Sequence, residues 1–437
     1  MTAPQIPNLF KVPELKEKIL FTLLCLFIYR LGAHIATPGV NVQALADFLK
    51  NAGQGTLFSL YDLFAGGGFS RATVFALGIM PYISASIVFQ LAAPVFPVVE
   101  KMQRDEEGRK TLTQWTRYLT VLLCVFQAYG YAVFTAQLPG AVADPGWGFR
   151  MTTVLTLSTG GIFVMWLGEQ ITERGIGNGA SLLIFFSIIE RIWPETLRTV
   201  EALKAHSLTF PVLLVVLGVM VLVVAGTVAV TVAARRIPIQ IPRKVIGRGR
   251  IREGQKTFIP LRINSSGVMP IIFAQSLIIV PGTLATFSGN TLLKRVAEYF
   301  SVTSWVYVIS SAVLIVFFAY FYTSIIFNPV DLAENLRKQG GFIPGVKPGA
   351  ATADYIDEVL SRITFPGALF LTLVAMLPIV VSNVLNMPFG FGGTALLIVV
   401  GVALDTVQQV QQHLLLRHYD GFMKEGRVKF RGRRGAM

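Results

Sequence analysis

Residues Gly55–Pro97 read GTLFSLYDLFAGGGFSRATVFALGIMPYISASIVFQLAAPVFP, and the fold turns on how this stretch divides. Leu57, Leu60, Tyr61 and Phe64 recur at helical spacing, which predicts a helix of roughly ten residues, about 15 Å long. That is half of what a bilayer core requires. Gly66, Gly67 and Gly68 follow Ala65 and end the helix, because successive glycines carry backbone freedom that a helix must give up. From Ala72 to Val99 no residue is charged, so a full span follows at once. Non-helical backbone at membrane depth is tolerated only where protein shields it or where it lines a cavity. Gly55–Gly68 is therefore read as a re-entrant segment inside a pore; a short amphipathic helix lying on the surface is the alternative. Asp62 within it is a charge that must sit near water or a donor when the pore is closed. From the sequence, Asp62→Leu is expected to fold and to lengthen closures.

The chain around this stretch has the composition of a polytopic membrane protein. Of its 437 residues, 53% are hydrophobic and only 14% are charged, and the mean hydropathy is +0.61, far from soluble-globular usage. Ten charge-poor runs of spanning length lie near 19–36, 72–96, 113–137, 151–171, 177–193, 211–233, 264–287, 303–327, 363–381 and 394–414. The fifth is marginal, since only Gly175–Ile189 is free of charge. Met1–Ile19 is polar and carries Pro4, Pro7 and Pro13, so the first span itself is the expected insertion signal. With loops assigned alternately from an inside N-terminus, inside segments hold 28 of the 38 lysines and arginines and outside segments hold 8. That asymmetry places both ends in the cytoplasm. Five spans on each side of the midpoint also permit an internal repeat with the second half inverted.

Few ionisable groups fall inside the spans. Arg30 is expected to snorkel outward, Glu169 lies near the cytoplasmic end of the fourth span, and Asp405 in the tenth is open between helix packing and an ion relay. A coupled solute transporter needs a midplane cluster of such groups, and none is visible. Intramembrane enzymes need catalytic pairs, and there is no HExxH, CxxC or Walker-type glycine loop. The four histidines share no ligand spacing, and Cys25 and Cys124 sit in apolar runs as packing residues, so neither metal nor cofactor is expected. The run GEQITERGIGNGASLLIF (Gly168–Phe185) has no strand before it and reads as a tight turn, with Asn178 or Ser181 as the cap.

Two cytoplasmic loops stand out. Arg235–Asn264 holds nine basic residues against Glu253, among them Arg243, Lys244, Arg248 and Arg250. Ile237, Ile239 and Ile241 alternate, and Gly247–Arg250 has turn chemistry, so a projecting hairpin is expected. Its length exceeds what orienting a span requires, which favours a large anionic partner such as ribosomal RNA or an acidic protein face over lipid alone. The second loop, Asn328–Arg362, holds Lys347 at a tip between two Pro-Gly turns.

Five stretches match a known family. YRLGAHIATPGV (Tyr29–Val40), FALGIMPYISASIVFQL (Phe75–Leu91), WLGEQITERGIGNG (Trp166–Gly179), NPVDLAENLRKQGGFIPGVKPG (Asn328–Gly349) and FGGTALLIVVGVALD (Phe391–Asp405) are long and specific. On them the chain resembles the SecY family, the channel subunits of the general protein translocase. The resemblance implies an all-α membrane protein of ten transmembrane helices in two inverted five-helix halves around a central pore. The halves would be residues 1–193 and 211–437, joined by an external hinge at 194–210. It implies a non-enzymatic, protein-conducting channel in the bacterial inner membrane, with 55–68 as the plug and the second and seventh spans as a lateral gate to lipid. By matching motifs, the ring that closes the pore would comprise Ile79, Ile83, Ile184, Ile272 and Ile398, with Ser276 a less secure sixth. The implied partners are a SecA-type motor or a ribosome, SecE-type and SecG-type membrane subunits, signal sequences of preproteins, and lipid. The family usually has arginine where Lys347 stands.

Overall fold

A computed structural model describes residues 13–51, 57–205, 209–240, 244–246, 250–252, 256–264, 266–287, 299–301, 304–385 and 393–425. Helix α1 (Pro13–Gly32) opens on a proline, which suits a first turn whose N–H groups have no partner, and closes with Arg30 near its carbonyl end. A short helix α2 (Val42–Asn51) and the half-length helix α3 (Leu57–Phe64) follow. The next long helix, α4 (Met80–Val95), begins eight residues later than the charge-free run suggests. Residues 65–79 are instead a chain of turns, buried at Ala65, Phe69, Ala72, Ala76 and Leu77.

Two things hold that stretch out of a helix. Gly78 takes φ +56° and Ala72 φ +47°, and Pro81 sits in the first turn of α4, where it favours a start. The backbone also finds distant partners: Thr37 N–H donates to the Ala72 carbonyl at 2.7 Å and Val74 N–H to the Ile35 carbonyl at 2.9 Å. Irregular backbone inside the protein is thereby satisfied, as burial requires. Pro94 and Pro97 close α4, and the chain bends by 112° into α5 (Pro97–Arg104).

Long helices α6 (Glu106–Ala136), α7 (Trp147–Arg174), α8 (Gly179–Lys204) and α9 (Phe210–Val232) come next. Asn178 caps α8, its side-chain oxygen accepting from the Ser181 N–H at 3.2 Å, as the turn reading anticipates. Helix α8 runs through Pro194 to Lys204, so the first part of the 194–210 connection is helical. Beyond two small hairpins the chain continues as α10 (Met269–Phe287), α11 (Trp305–Ile326), the short α12 (Pro329–Lys338), α13 (Ala350–Leu385) and α14 (Gly393–Glu425). Setting aside α2, α3, α5 and α12, ten helices of 16 to 36 residues remain among the described ones, a number consistent with the ten expected spans. Six of the described helices are long and apolar enough to cross a membrane alone, and a seventh counts if the bent α4–α5 pair is one span.

Helices α1, α4, α6, α7 and α8 pack mainly on one another, as do α9, α10, α11, α13 and α14. The two sets meet where α4, α6 and the short helix α3 touch α10, and where α8 touches α14. Glycine makes one inner contact possible: a Cβ on Gly160 of α7 would collide with the Val74 carbonyl oxygen of the turn segment. That neighbour is backbone and has no rotamer to yield. Gly160→Ala is expected to lower stability by about 1–3 kcal/mol, read as an earlier thermal transition in detergent.

The expected hairpin is present. Strand β1 (Ala234–Gln240) pairs antiparallel with β4 (Lys256–Arg262), and β2 (Lys244–Ile246) with β3 (Arg250–Arg252). Ile237 and Ile239 point inward, so the alternation in the sequence is the register of β1. Gln240 and Phe342 exchange backbone hydrogen bonds at 2.9 and 3.0 Å, which ties the two long loops together. Ile237, Ile239, Leu261, Leu336, Ile343 and Ile356 form a small second core under this junction. The two loops are one structural unit.

Candidate functional site

The re-entrant reading of the opening stretch is the one realised, because α3 is buried rather than laid on a surface. Leu60, Tyr61, Asp62, Leu63 and Phe64 are all buried, and α3 packs on α8 and α10. Leu57 starts the helix, and its side chain lies outside the described ones, as do residues 55 and 56 altogether. Tyr61 anchors the plug sideways by donating to the Leu77 carbonyl at 3.0 Å and to Gln127 Oε1 of α6 at 3.2 Å. Phe58 stacks on Phe134 at 4.9 Å, and Tyr131 meets Phe69 edge-on at 5.1 Å. A phenolic hydroxyl in apolar surroundings needs such a partner, and the aromatic ring supplies the packing area.

The glycines turn the chain back beneath the plug. Gly66 and Gly67 take φ +63° and +76°, and Arg71 hooks onto their carbonyls, Nη2 to Gly66 O at 2.8 Å and Nε to Gly67 O at 3.0 Å. A Cβ on Gly67 would meet Arg71 Nη2 at 2.7 Å, and one on Gly68 would meet Thr73 Oγ1 at 2.9 Å. All three positions are tied to this compact turn.

A set of charges closes over the plug helix from the middle of α8. Glu190 Oε1 accepts from Arg71 Nη2 at 2.8 Å and is paired with Arg30 of α1 as well. Arg30 is thus held by an acid in the marginal fifth span, with about a third of its side chain (33%) still exposed. The adjacent Arg191 bonds Asp62 Oδ2 at 3.2 Å, and Asp62 Oδ1 accepts from the Ser70 N–H at 2.8 Å. Consecutive residues of one helix thus grip the plug helix and the turn behind it. Glu190, Arg191 and Arg71 escape sequence reasoning, since each looks like an ordinary charge at the edge of a span. Farther away, Arg117 and Glu169 join α6 to α7 at 2.8 Å.

The predicted ring positions are all buried, and three of them share one cavity. Ile79, Ile83, Ile184, Ile272 and Ile398 are buried within one continuous apolar core, and Ser276 is buried one turn beyond Ile272. Ile83, Ile184 and Ile272, from α4, α8 and α10, line the same cavity of about 160 Å³. Its remaining wall is polar on one side, with Ser86, Gln90, Thr172, Asn178 and Ser181. Polar and aliphatic side chains thus share the lining of this cavity. Asp405 faces Gly267 in a separate niche of about 10 Å³ with Thr227, Thr231 and Asn264, room for about one water, so it joins no chain of acids there.

On the loops, Lys347 is exposed at a tip fixed by Gly345 and Gly349, with φ of +86° and +109°. Its carbonyl accepts from Thr352 Oγ1 at 2.8 Å. Lys244 lies on β2 opposite Arg252, and Arg250 lies on β3 opposite Ile246; the side chains of this inner hairpin are outside the described ones. Arg243 and Arg248 lie outside the described residues altogether.

Long apolar helices packed around a short buried helix, as the described residues show, define a polytopic membrane protein of channel-like architecture. The SecY family profile matches residues 73–407, and the chain belongs to that family. It is similar to the protein translocase subunit SecY of Aquifex aeolicus, 45% identical over 424 residues, covering 95% of this chain and 98% of that protein. The SecY subunit of Escherichia coli K12 is 42% identical over 428 residues, covering 96% of each. Among solved structures, one described as a protein conducting channel superposes with a TM-score of 0.67 at 19% identity, covering 98% of this chain and all of the other. Sec61 in a canine ribosome–channel complex superposes at 0.64, again at 19% identity and with the same coverage.

Proposed function

We propose that this chain is the pore-forming subunit of a protein-conducting channel, which passes unfolded preproteins across the bacterial inner membrane and releases apolar segments sideways into lipid. The carrying observation is the buried plug helix beside a cavity lined by Ile83, Ile184 and Ile272. An aliphatic constriction excludes ions by dewetting, while its flexible side chains can fold around a polypeptide of any sequence. Ile79, Ile398 and Ser276 complete the ring in this reading. Contact between α4 and α10 supports a lateral gate there, where signal sequences would enter. Residues 1–193 and 211–437 act as two halves about the 194–210 connection, with both termini and the basic loops in the cytoplasm.

The chain works as a channel and not as an enzyme, so a partner supplies the driving force. A SecA-type motor or a ribosome is the reading for the joined loops, with Arg243, Lys244, Arg248, Arg250 and Lys347 as contacts, and SecE-type and SecG-type subunits brace the bundle. The direct test is import of a radiolabelled preprotein into vesicles holding the purified complex, with the motor and ATP added. Vesicles that import nothing while the complex is intact and binds the motor would overturn the reading.

Lys347 supports a sharper prediction. Lysine is a point charge and lacks the planar two-pronged contact of a guanidinium, so Lys347→Arg is expected to be tolerated. Lys347→Glu reverses the charge at a tip that backbone turns hold in place, and import is expected to fall about tenfold, as when roughly 1.4 kcal/mol of docking energy is lost. Motor binding at two salt concentrations, beside thermal stability, separates docking from folding. Full import by Lys347→Glu would remove this tip from the interface.

A further inference from the structure

We propose that Gln408 and Gln409, neighbours on α14, are positioning residues that link a partner docked on the long hairpin to α8, and so to the ring and the plug. The inference rests on the channel reading above and adds residues to the working of the same pore. Gln409 reaches from the second set of helices to the first. Its Oε1 accepts the Gly177 N–H at 3.0 Å, in the turn between α7 and α8. Gly177 takes φ +87°, and a Cβ there would stand 3.0 Å from Leu182 Cδ1 and 3.5 Å from Thr406 Oγ1 of α14. Other N–H groups of this turn stay within the first set. Ile176 donates to Thr22 Oγ1 of α1 at 3.1 Å, Gly179 to Thr172 Oγ1 of α7 at 2.9 Å, and Ser181 to Asn178 Oδ1 at 3.2 Å. Gly177 is the member of the turn whose bond crosses to α14.

Gln408 faces a different partner. Arg262, the last residue of β4, donates through Nη1 to Gln408 Oε1. Successive residues of a helix point about 100° apart, so one turn of α14 presents one amide to the foot of the hairpin and the next to the α7–α8 turn. The helix closes its own backbone hydrogen bonds, and over a single turn it moves as one piece. Helix α8 then begins at Gly179 and carries Ile184 five residues on, with Glu190 and Arg191 farther along. Shifting its start therefore shifts one wall of the ring together with the grip on Asp62 and Arg71. Neither glutamine lines the cavity beside the plug, so a passing polypeptide has no need of either. The two amides also share no bonding partner. If they act separately, the effects of replacing them multiply; if they are two ends of one link, breaking both is no worse than breaking one.

The test is motor-driven import of a preprotein into vesicles holding the whole complex, at saturating motor, with motor binding measured alongside. Gln408→Met and Gln409→Met keep the length of the side chain and lose the acceptor. Each is expected to bind motor normally and to import about fivefold more slowly, the scale of one lost hydrogen bond. The double variant should be slowed about fivefold as well. Gln409→Glu, which keeps an oxygen for the Gly177 N–H, should restore import. A double variant slowed about 25-fold, the product of the two, would overturn the link. So would full import by Gln408→Met, whose contact with Arg262 is exposed and leaves the packed bundle intact if Gln409→Met fails to assemble. If the unmodified complex binds motor and imports nothing, the channel reading fails and the link with it; if it imports and the two effects multiply, the link alone fails.

Discussion

Replacing Ile83, Ile184 and Ile272 together by serine is expected to turn a silent membrane into a conducting one. The three side chains come from α4, α8 and α10 and border one cavity of about 160 Å³. Truncating them widens an existing space, so the bundle should lose less than it would for voids in close-packed core. Water then enters a constriction that had excluded it, and hydroxyls replace methyl groups as the lining. A rise in resting conductance of about a hundredfold corresponds to roughly 2.7 kcal/mol off the permeation barrier. The measurement is current across a planar bilayer holding the purified complex, without motor or substrate. An unchanged, silent membrane with all three replaced would sink the ring assignment.

The second large effect concerns the plug. Arg191→Gln takes the guanidinium from the Asp62 carboxylate, of which 8% is exposed, and leaves it the Ser70 N–H. Stranding a buried charge costs about 3–5 kcal/mol when burial is complete. Arg191 is 23% exposed and water reaches its end of the pair, so the loss here is set lower, about 2 kcal/mol, or roughly a thirtyfold increase in spontaneous opening. The double variant Asp62→Asn with Arg191→Gln should recover part of the closure, since asparagine keeps the oxygen for Ser70 and carries no charge. Equal opening rates for Arg191→Gln and the unmodified complex would show that the pair does not hold the plug. The same geometry reverses the expectation for Asp62→Leu. Leucine cannot accept from Ser70 and takes the carboxylate from Arg191, so closures shorten.

What the sequence by itself determined lies in properties that neighbours in the chain share. The ten spans follow from the absence of charge over runs of spanning length. The broken helix at Leu57–Phe64 follows from spacing and the three glycines after it. The hairpin follows from the alternation of Ile237 and Ile239, and the cap of α8 from Asn178 standing before Ser181. Tertiary structure alone decided where α4 begins, because residues 65–79 stay irregular only through bonds to Ile35 and Thr37 from another part of the chain. It decided that Arg30 pairs with Glu190, and that Asp62 meets Arg191. It also joined the two long loops at Gln240 and Phe342. The physical reason is the same in each case. A period or a turn residue acts within a few positions and leaves a mark there, whereas an ion pair or backbone bridge between distant residues has no spacing to read and exists only once packing has brought the partners together.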